Sequence, residues 1–346
     1  MKYRVFILLS GEHPTLPRSE VIASLEADNV KFEHLSTHDQ VLRLACEDPM
    51  TLSECIASRT SMAKECCLEL FYCSAEHEEI LHLARDVPWD SYVRDRSFAV
   101  RIRRIKNYSK GIDAHRLEAD IGSIIVKCGG KVDLDQPQVM IVGALTEDVF
   151  MLGIRLSKVD RGSFEKRRPK RRPYFHPSAM EPRLSRAFVN LARSPRGGVL
   201  LDPFCGTGGF LIEGALIGCR VIGGDIVEEM VRGARMNMKY FGLDPSGIVL
   251  HDARKMPFTE VDAIATDPPY GRSTTTAKIP LPKLLEDFIG QAAEALKKGR
   301  YLSMACPLGI PIEDYAQEAD LELVEEHRFR VHRSLTRRIL VLRRRP

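Results

Sequence analysis

The sequence lacks several features that mark other classes of protein. No uninterrupted apolar run approaches the roughly 18 residues that suggest a membrane-spanning helix. The first nine residues are too short and too strand-like for a secretory signal, and we interpret them as a first β-strand. The nine cysteines include no Cys-x-x-Cys pair. We therefore expect no metal site, reduced thiols and a cytoplasmic location.

The sequence also has little excess charge of either sign. Its 51 basic and 47 acidic residues give a net charge of +4, which alone does not indicate a nucleic-acid partner. The basic residues are clustered, however: nine lie in 155–172 against two acids, eight arginines lie in 328–346, and six basic residues lie in 94–106. Three such runs indicate binding to a polyanion. We predict phosphate contacts at the most basic part of the first run: Arg167, Arg168, Lys170, Arg171 and Arg172.

A glycine-rich turn, Asp202-Pro203-Phe204-Cys205-Gly206-Thr207-Gly208, follows a short apolar strand pattern. Its glycines would let the backbone approach a ligand at the carboxyl end of the strand. The next two strand patterns end in Asp225, suited to ribose hydroxyls, and Asp252, suited to an adenine amino group. Three strands that each end in a carboxylate favour a cationic sulfonium nucleoside, although a Gly-x-Gly turn alone would also suit a nicotinamide dehydrogenase. The pattern predicts S-adenosylmethionine as cofactor, with contacts at Asp202, Gly206, Gly208, Asp225 and Asp252.

A second motif, Asp267-Pro268-Pro269-Tyr270, follows a buried-strand pattern and begins 65 residues after the first. The exocyclic amino group of a purine is a poor nucleophile because its lone pair is shared with the ring. Asp267 can accept one amino hydrogen and later the proton, as a general base. The Pro268 carbonyl, held outward by the two prolines, can accept the other hydrogen, and Tyr270 can stack on the base. The motif therefore predicts methylation of an exocyclic amino group.

Other activities are compatible with parts of the sequence. Methylation of adenine N6, or of guanine N2 at other sites, uses the same tetrad. Cys306, at a predicted strand end, suits the thiolate chemistry that methylates C5 of pyrimidines, but that mechanism has no use for the tetrad. A non-catalytic RNA-binding protein can keep this scaffold, yet the catalytic carboxylate and the cofactor glycines are intact. A tRNA sulfur-transfer enzyme would need a Ser-Gly-Gly-type ATP loop, which is missing.

Three stretches together resemble one enzyme family. The segment from Arg172 to Ala192, the turn at 202–208 and the tetrad at 267–270 look like those of the archaeal and eukaryotic tRNA guanine-N2-methyltransferases that act at position 10. These enzymes join an RNA-binding THUMP domain to a Rossmann-like methyltransferase domain. A sister family that modifies guanine in the acceptor stem usually has Asn where Asp267 stands, which favours the position-10 family.

The resemblance implies roles that the residues alone do not. It adds His176 and Pro177 to the cofactor contacts and assigns the target amino group to the whole tetrad, Pro269 included. It implies that the N-terminal domains hold tRNA by its 3′ end and acceptor stem. Related enzymes often need a small zinc-binding activator protein that covers a strand edge of the catalytic domain. Whether one or two methyl groups are added does not follow from the resemblance.

Hydrophobic periodicity predicts an α/β protein whose catalytic domain is a Rossmann-like, doubly wound sheet with a terminal antiparallel hairpin at 321–331 and 335–342. We expect α+β ferredoxin-like and THUMP domains before it. The intervening basic segment carries Gly162 and two prolines, which is typical of a linker. The predicted boundaries are 1–50 for the ferredoxin-like subdomain, 51–156 for the THUMP domain, 157–173 for the linker and 174–346 for the methyltransferase domain.

Overall fold

The computed structural model describes residues 2–269, 279–332 and 335–346. It divides into two compact units. The N-terminal unit comprises Met1–Pro14, Val30–Ala57 and Ala63–Val159, and the C-terminal unit comprises Thr15–Asn29, Ser58–Met62 and Asp160–Pro346. The predicted boundary at residue 50 lies inside Val30–Ala57, which belongs wholly to the N-terminal unit, and the segment after Pro14 groups with the C-terminal part of the chain. The boundaries at 50, 156 and 173 therefore stay predictions.

Both units of the structure contain α-helices. Along the described residues they are α1 (Leu16–Ala27), α2 (Pro49–Arg59), α3 (His77–Asp86), α4 (Asp90–Val93), α5 (Ala114–Lys127), α6 (Arg161–Lys166), α7 (Pro182–Leu191), α8 (Gly209–Leu216), α9 (Glu228–Tyr240), α10 (Leu281–Ala295) and α11 (Ile312–Glu318). Within these ranges, no helix has the length and apolarity that a membrane span requires.

The N-terminal unit is built on an eight-stranded sheet. Its strands are β1 (Tyr3–Leu9), β2 (Glu33–His38), β3 (Val41–Cys46), β4 (Ala63–Ser74), β5 (Ser97–Arg104), β6 (Lys131–Val132), β7 (Val139–Thr146) and β8 (Val149–Lys158). They lie in the order β2-β3-β1-β4-β8-β7-β5-β6. Helix α5 packs on this sheet because Leu117, Ile121 and Ile125 recur every four residues and are fully buried.

The C-terminal unit contains a seven-stranded sheet. Its strands are β9 (Val199–Asp202), β10 (Arg220–Asp225), β11 (Ile248–Leu250), β12 (Val261–Thr266), β13 (Leu296–Pro307), β14 (Leu321–His332) and β15 (Leu335–Arg344). The order is β11-β10-β9-β12-β13-β15-β14. The first five strands are parallel, and β14 and β15 form the predicted antiparallel hairpin. The strand order reverses between β9 and β12, and such a switch point opens a crevice at the carboxyl ends of the strands.

Helix α1 belongs to the core of the C-terminal unit although it lies near the start of the chain. Leu16 is fully buried in the cluster that contains Phe188 of α7. The carboxylate of Glu20 is also fully buried and accepts hydrogen bonds from the backbone N–H groups of Ser61 and Met62, both at 2.8 Å, and from Asn190 Nδ2 at 3.0 Å. These bonds replace the water that the carboxylate loses, which is why a charge-bearing residue is tolerated there.

Candidate active site

Asp202 lies at the switch point, at the end of β9. Its side chain is fully buried, and its Oδ1 accepts hydrogen bonds from Thr266 Oγ1 at 2.7 Å and from the Phe204 N–H at 3.2 Å. Burial raises the pKa of Asp202 to about 8. Its Oδ2 has no hydrogen-bond partner among the described residues. A buried acceptor of this kind is ready to receive a donor from a ligand.

The glycine-rich turn is fastened to the neighbouring strand β10. Gly206 and Gly208 have φ angles of +48° and +83°, in the left-handed region that glycine adopts without strain. The Gly206 N–H donates to Asp225 Oδ2 at 3.0 Å, and the N–H of Val227 donates to the other carboxylate oxygen, also at 3.0 Å. Burial raises the pKa of Asp225. The structure therefore brings together Asp202, Gly206, Gly208 and Asp225, as the sequence predicts for a cofactor site.

Asp252 follows β11, the next strand along the same edge. Arg254 pairs with it at 2.5 Å, and this hydrogen bond lowers the pKa of Asp252. The adjacent His251 was missed by the sequence analysis. Its two ring nitrogens are buried without a hydrogen-bond partner in the described chain, and its ring lies edge-on to Phe258 at 5.1 Å. Burial lowers the pKa of His251, so a neutral imidazole stands beside Asp252.

The upstream segment reaches the glycine-rich turn through a buried asparagine. Asn237 of α9 accepts from the Tyr174 N–H and donates to the carbonyls of Tyr174 and Thr207, all at 3.0 Å. His176 and Pro177 follow two residues later, and His176 Nδ1 lies 2.7 Å from Ser178 Oγ. Sequence reasoning missed Asn237. A polar residue among the buried positions of an amphipathic helix was the available indication.

The tetrad begins directly after β12, one residue beyond Thr266. The side chain of Asp267 is 14% exposed, and its Oδ2 lies 3.0 Å from Arg337 Nη1 on β15. Pro268 is buried and Pro269 is half-buried. Tyr270 lies outside the described residues, so its stacking role stays a prediction. Arg337 was not singled out from the sequence, in which it is one of many arginines near the carboxyl end.

The basic segment predicted as a linker is folded, with α6 and a 3-10 turn at Pro169–Arg171. Arg167 pairs at 2.7 Å with the fully buried carboxylate of Glu213. Arg172 is buried and donates to the Arg167 carbonyl at 2.9 Å. These contacts give Arg167 and Arg172 a structural role, which is a correction to their predicted phosphate contacts. Three of the five predicted positions are exposed, and their phosphate contacts stay a prediction: Arg168, Lys170 and Arg171.

Cys306 does not suit nucleophilic catalysis. Its side chain is fully buried in strand β13, and burial raises the pKa of its thiol to about 12. A thiol in that state contains little thiolate at neutral pH, and the thiolate is the nucleophile. Within the part of the chain that the structure describes, no cluster of three or more His, Cys, Asp or Glu side chains could hold a metal ion.

Comparison with known proteins agrees with this arrangement. Residues 169–339 match the RMKL-like methyltransferase domain family UPF0020, and residues 74–155 match the THUMP domain. The chain is 37% identical, over 98% of its length, to the tRNA (guanine(10)-N2)-dimethyltransferase of Methanothermobacter thermautotrophicus, of which the match covers 99%. It is 32% identical, over 96% of its length, to the protein of the same name from Methanocaldococcus jannaschii, of which the match covers 98%.

A solved structure shows the same fold. The crystal structure of TrmN from Thermus thermophilus is 21% identical, and the superposition covers 99% of each chain with a TM-score of 0.55. The sequence identity to the two archaeal proteins extends over nearly the whole of all three chains. This chain therefore belongs to the family of tRNA (guanine(10)-N2)-methyltransferases, which the motifs at 202–208 and 267–270 had indicated.

Proposed function

We propose that this protein transfers methyl groups from S-adenosylmethionine to the exocyclic N2 of the guanine at position 10 of tRNA. The observation that supports this most directly is the hydrogen bond from Thr266 to Asp202. It holds the end of β12, where Asp267 begins the tetrad, against the end of β9. A carboxylate suited to catalysis and one suited to the cofactor then share one crevice, and the archaeal relatives supply the nucleotide position.

The described residues fit a cationic nucleoside cofactor. Asp202 interacts electrostatically with the carboxylates of Asp225 and Asp267, and its Oδ2 has no hydrogen-bond partner among the described residues. Such a crevice favours groups that carry positive charge, such as an ammonium or a sulfonium. The predicted holders are His176, Pro177, Asp202, Gly206, Gly208, Asp225 and Asp252. S-adenosylmethionine, when bound, supplies an electrophilic methyl group.

The chain's own part in the reaction is to hold and deprotonate the target amine. We assign to the Asp267 carboxylate the acceptance of one amino hydrogen, and to the Pro268 carbonyl the acceptance of the other. Both contacts strengthen as the nitrogen becomes tetrahedral, so they stabilise the transition state more than the bound substrate. After methyl transfer the nitrogen is strongly acidic, and Asp267 takes its proton. The proposal gives Tyr270 the role of fixing the plane of the base.

We infer that tRNA is held by the THUMP-containing unit and by the exposed basic residues Arg168, Lys170 and Arg171. The target guanine must leave its stack to enter the crevice, at a cost of a few kcal/mol. A zinc-binding activator subunit and a cytoplasmic location are parts of the proposal that follow from the family resemblance and the free, mostly buried cysteines. The dimethylated product is proposed from the names of the two archaeal relatives, which are tRNA (guanine(10)-N2)-dimethyltransferases.

The proposal is tested by incubating the protein with labelled S-adenosylmethionine and unmodified tRNA transcript, followed by nucleoside digestion and mass analysis. We expect N2-methylguanosine, its dimethyl form, or both, and no label in a transcript with adenine at position 10. N6-methyladenosine in the product would retain the chemistry and overturn the substrate. No transfer, even after addition of the zinc-binding activator, would support a non-catalytic RNA-binding protein on the same scaffold.

A further inference from the structure

The carboxylate of Asp267 has a cationic neighbour that the tetrad does not contain. Arg337 Nη1 lies 3.0 Å from Asp267 Oδ2, and the side chains of Arg337 and Asp267 are 21% and 14% exposed. Both partners are therefore largely withdrawn from water, and an ion pair there is screened less than one on the surface. The contact joins residues 70 positions apart in the sequence.

The fold of the terminal hairpin brings Arg337 to this place. Strand β15 pairs antiparallel with β13, with Arg337 opposite Pro307 at the carboxyl end of β13. Strand β13 in turn runs parallel to β12, whose end precedes Asp267. The residue that faces the carboxylate is thus set by pairing across three strands.

Among the described residues, two further carboxyl groups interact electrostatically at this edge of the sheet, those of Asp202 and Asp225. Asp202 of β9 is electrostatically coupled to both Asp267 and Asp225 of β10, and Asp225 is coupled to His251 after β11, whose imidazole is neutral. Neighbouring carboxylates favour protonation of one another, whereas an opposite charge at this distance favours the ionised form. A protonated Asp267 would lose the capacity to accept an amino hydrogen and then a proton.

We propose that Arg337 is a positioning residue of this reaction, which keeps the Asp267 carboxylate ionised and fixed in orientation while it binds the target amine. The inference rests on the proposed function. An arginine side chain is a hydrogen-bond donor that does not give up its proton in proteins, so Arg337 is not itself the base. The pairing makes Asp267 a weaker base, but a weak base suffices for the strongly acidic nitrogen formed by methylation.

The test compares wild-type protein with Arg337→Gln and Arg337→Lys in single-turnover methyl transfer to unmodified tRNA transcript, from pH about 5.5 to about 9. A matched control is Lys297→Gln. Lys297 pairs at 2.9 Å with Asp262, near the amino end of the same strand β12, so this variant also removes a cation from a β12 aspartate. Cofactor and tRNA dissociation constants and thermal unfolding are measured for every variant.

In the pH–rate profile of Arg337→Gln, we expect the acidic limb to lie at higher pH than in the wild type. Along that limb the rate should fall about tenfold for each pH unit, and at alkaline pH it should approach the wild-type rate. Arg337→Lys should keep the wild-type limb with a lower plateau, because it retains the charge without the forked geometry. Lys297→Gln should show the wild-type pH dependence. The dissociation constants should stay within a few-fold of the wild type.

An Arg337→Gln rate lowered by the same factor at every pH, or not lowered at all, would overturn the inference. If Arg337→Gln does not fold, Arg337→Lys tests the inference instead. A plateau rate equal to that of the wild type would then contradict the proposed fixing of the Asp267 orientation. Failure of the proposed function is a separate result, because the wild-type protein would then form no N2-methylguanosine. An active wild type with an unmoved Arg337→Gln profile would overturn this inference alone.

Discussion

At the scale of single residues, the two carboxylates that meet at the switch point have opposite surroundings. Asp202 is fully buried with a hydroxyl and an N–H donor, and burial raises its pKa to about 8. Asp267 is partly exposed and faces the guanidinium of Arg337. Asp202 is therefore suited to bind a positively charged group of the cofactor, and Asp267 is suited to remain ionised before the substrate binds.

Replacing Asp267 should separate chemistry from binding. We expect Asp267→Ala to lower the single-turnover rate at least about 100-fold, because it removes the general base. The tRNA dissociation constant, measured by filter binding, should stay nearly unchanged, since one side chain in the crevice adds little to a phosphate-dominated interface. Asp267→Asn, which keeps the shape, should be similarly slow. A comparable loss of tRNA binding in both variants would contradict the catalytic assignment.

Asp202 should make the stability of the cofactor-free protein depend on pH. Its folded pKa, about 8, lies above the reference value of 3.8, so its contribution to stability is fully present below about 3.8 and is lost as pH rises through about 8. Asp202→Asn removes this titration while keeping an acceptor for Thr266. Relative to the variant, wild-type stability should decline between these pH values by at most about 1.4 kcal/mol per unit.

The measurement is urea unfolding of both proteins at several pH values without cofactor. Equal slopes of stability against pH in the two proteins would show that Asp202 is not the buried acid described here. Asp252 serves as a control in which the pKa shift has the opposite sign, because the hydrogen bond from Arg254 lowers its pKa. The contribution of Asp252 should be present above about 3.8 and lost only as the pH falls further.

At the scale of elements, the C-terminal unit takes a helix from an early part of the chain. Helix α1 packs on α7 through buried apolar residues, and Glu20 joins it to residues 61–62 and to Asn190. Arg59 reinforces the junction: it is fully buried and donates to the Ser194 carbonyl at 2.6 Å. The catalytic unit is therefore assembled from three separate stretches of sequence.

Glu20→Ala should destabilise the protein by about 2–4 kcal/mol, because it leaves the backbone N–H groups of Ser61 and Met62 without their acceptor in the core and removes one of the two acceptors of Asn190 Nδ2. The measurement is the free energy of unfolding in urea. Arg18 is exposed on the same helix, and Arg18→Ala should change stability by less than about 0.5 kcal/mol. Equal effects of the two substitutions would mean that α1 is not anchored through Glu20.

At the scale of the whole molecule, the distribution of charge along the chain is more informative about tRNA binding than the net charge. The net charge is +4, yet one short segment, 155–172, holds nine basic residues. Folding withdraws Arg167 and Arg172 from the surface and leaves Arg168, Lys170 and Arg171 exposed. Arg168 also pairs with Glu165 at 3.1 Å, so the other two are the better candidates for phosphate contacts.

The double variant Lys170→Glu, Arg171→Glu should weaken tRNA binding and reduce its dependence on salt. Each lost phosphate contact should lower the slope of log affinity against log salt by about 0.9 for a duplex region. Filter binding at several salt concentrations measures both quantities. Lys239 and Lys298 are also exposed, and their double change to Glu alters the net charge equally. A similar slope in the two double variants would indicate a general charge effect and no specific contact.

Much of the site could be predicted because its parts are local in sequence. The turn at 202–208 and the tetrad each combine a strand end, a bend and a carboxylate within a few residues, and their backbone conformations follow from glycine and proline. The parallel strands β9 to β12 then bring those ends to one edge. The hairpin of β14 and β15 was likewise predictable, because consecutive strands pair.

By itself the sequence determined the kind of chemistry, the cofactor class and the family. These depend on short motifs, whose local backbone conformation and functional groups are set by the residues of the motif itself. Only the tertiary structure decided which side chains support them. Arg337 meets Asp267 across 70 positions, Glu20 meets Ser61 across 41 and Asn237 meets Thr207 across 30. It also decided which arginines of the basic segment are buried. Such partners are selected by packing and burial of the whole chain, which no local pattern of residues records.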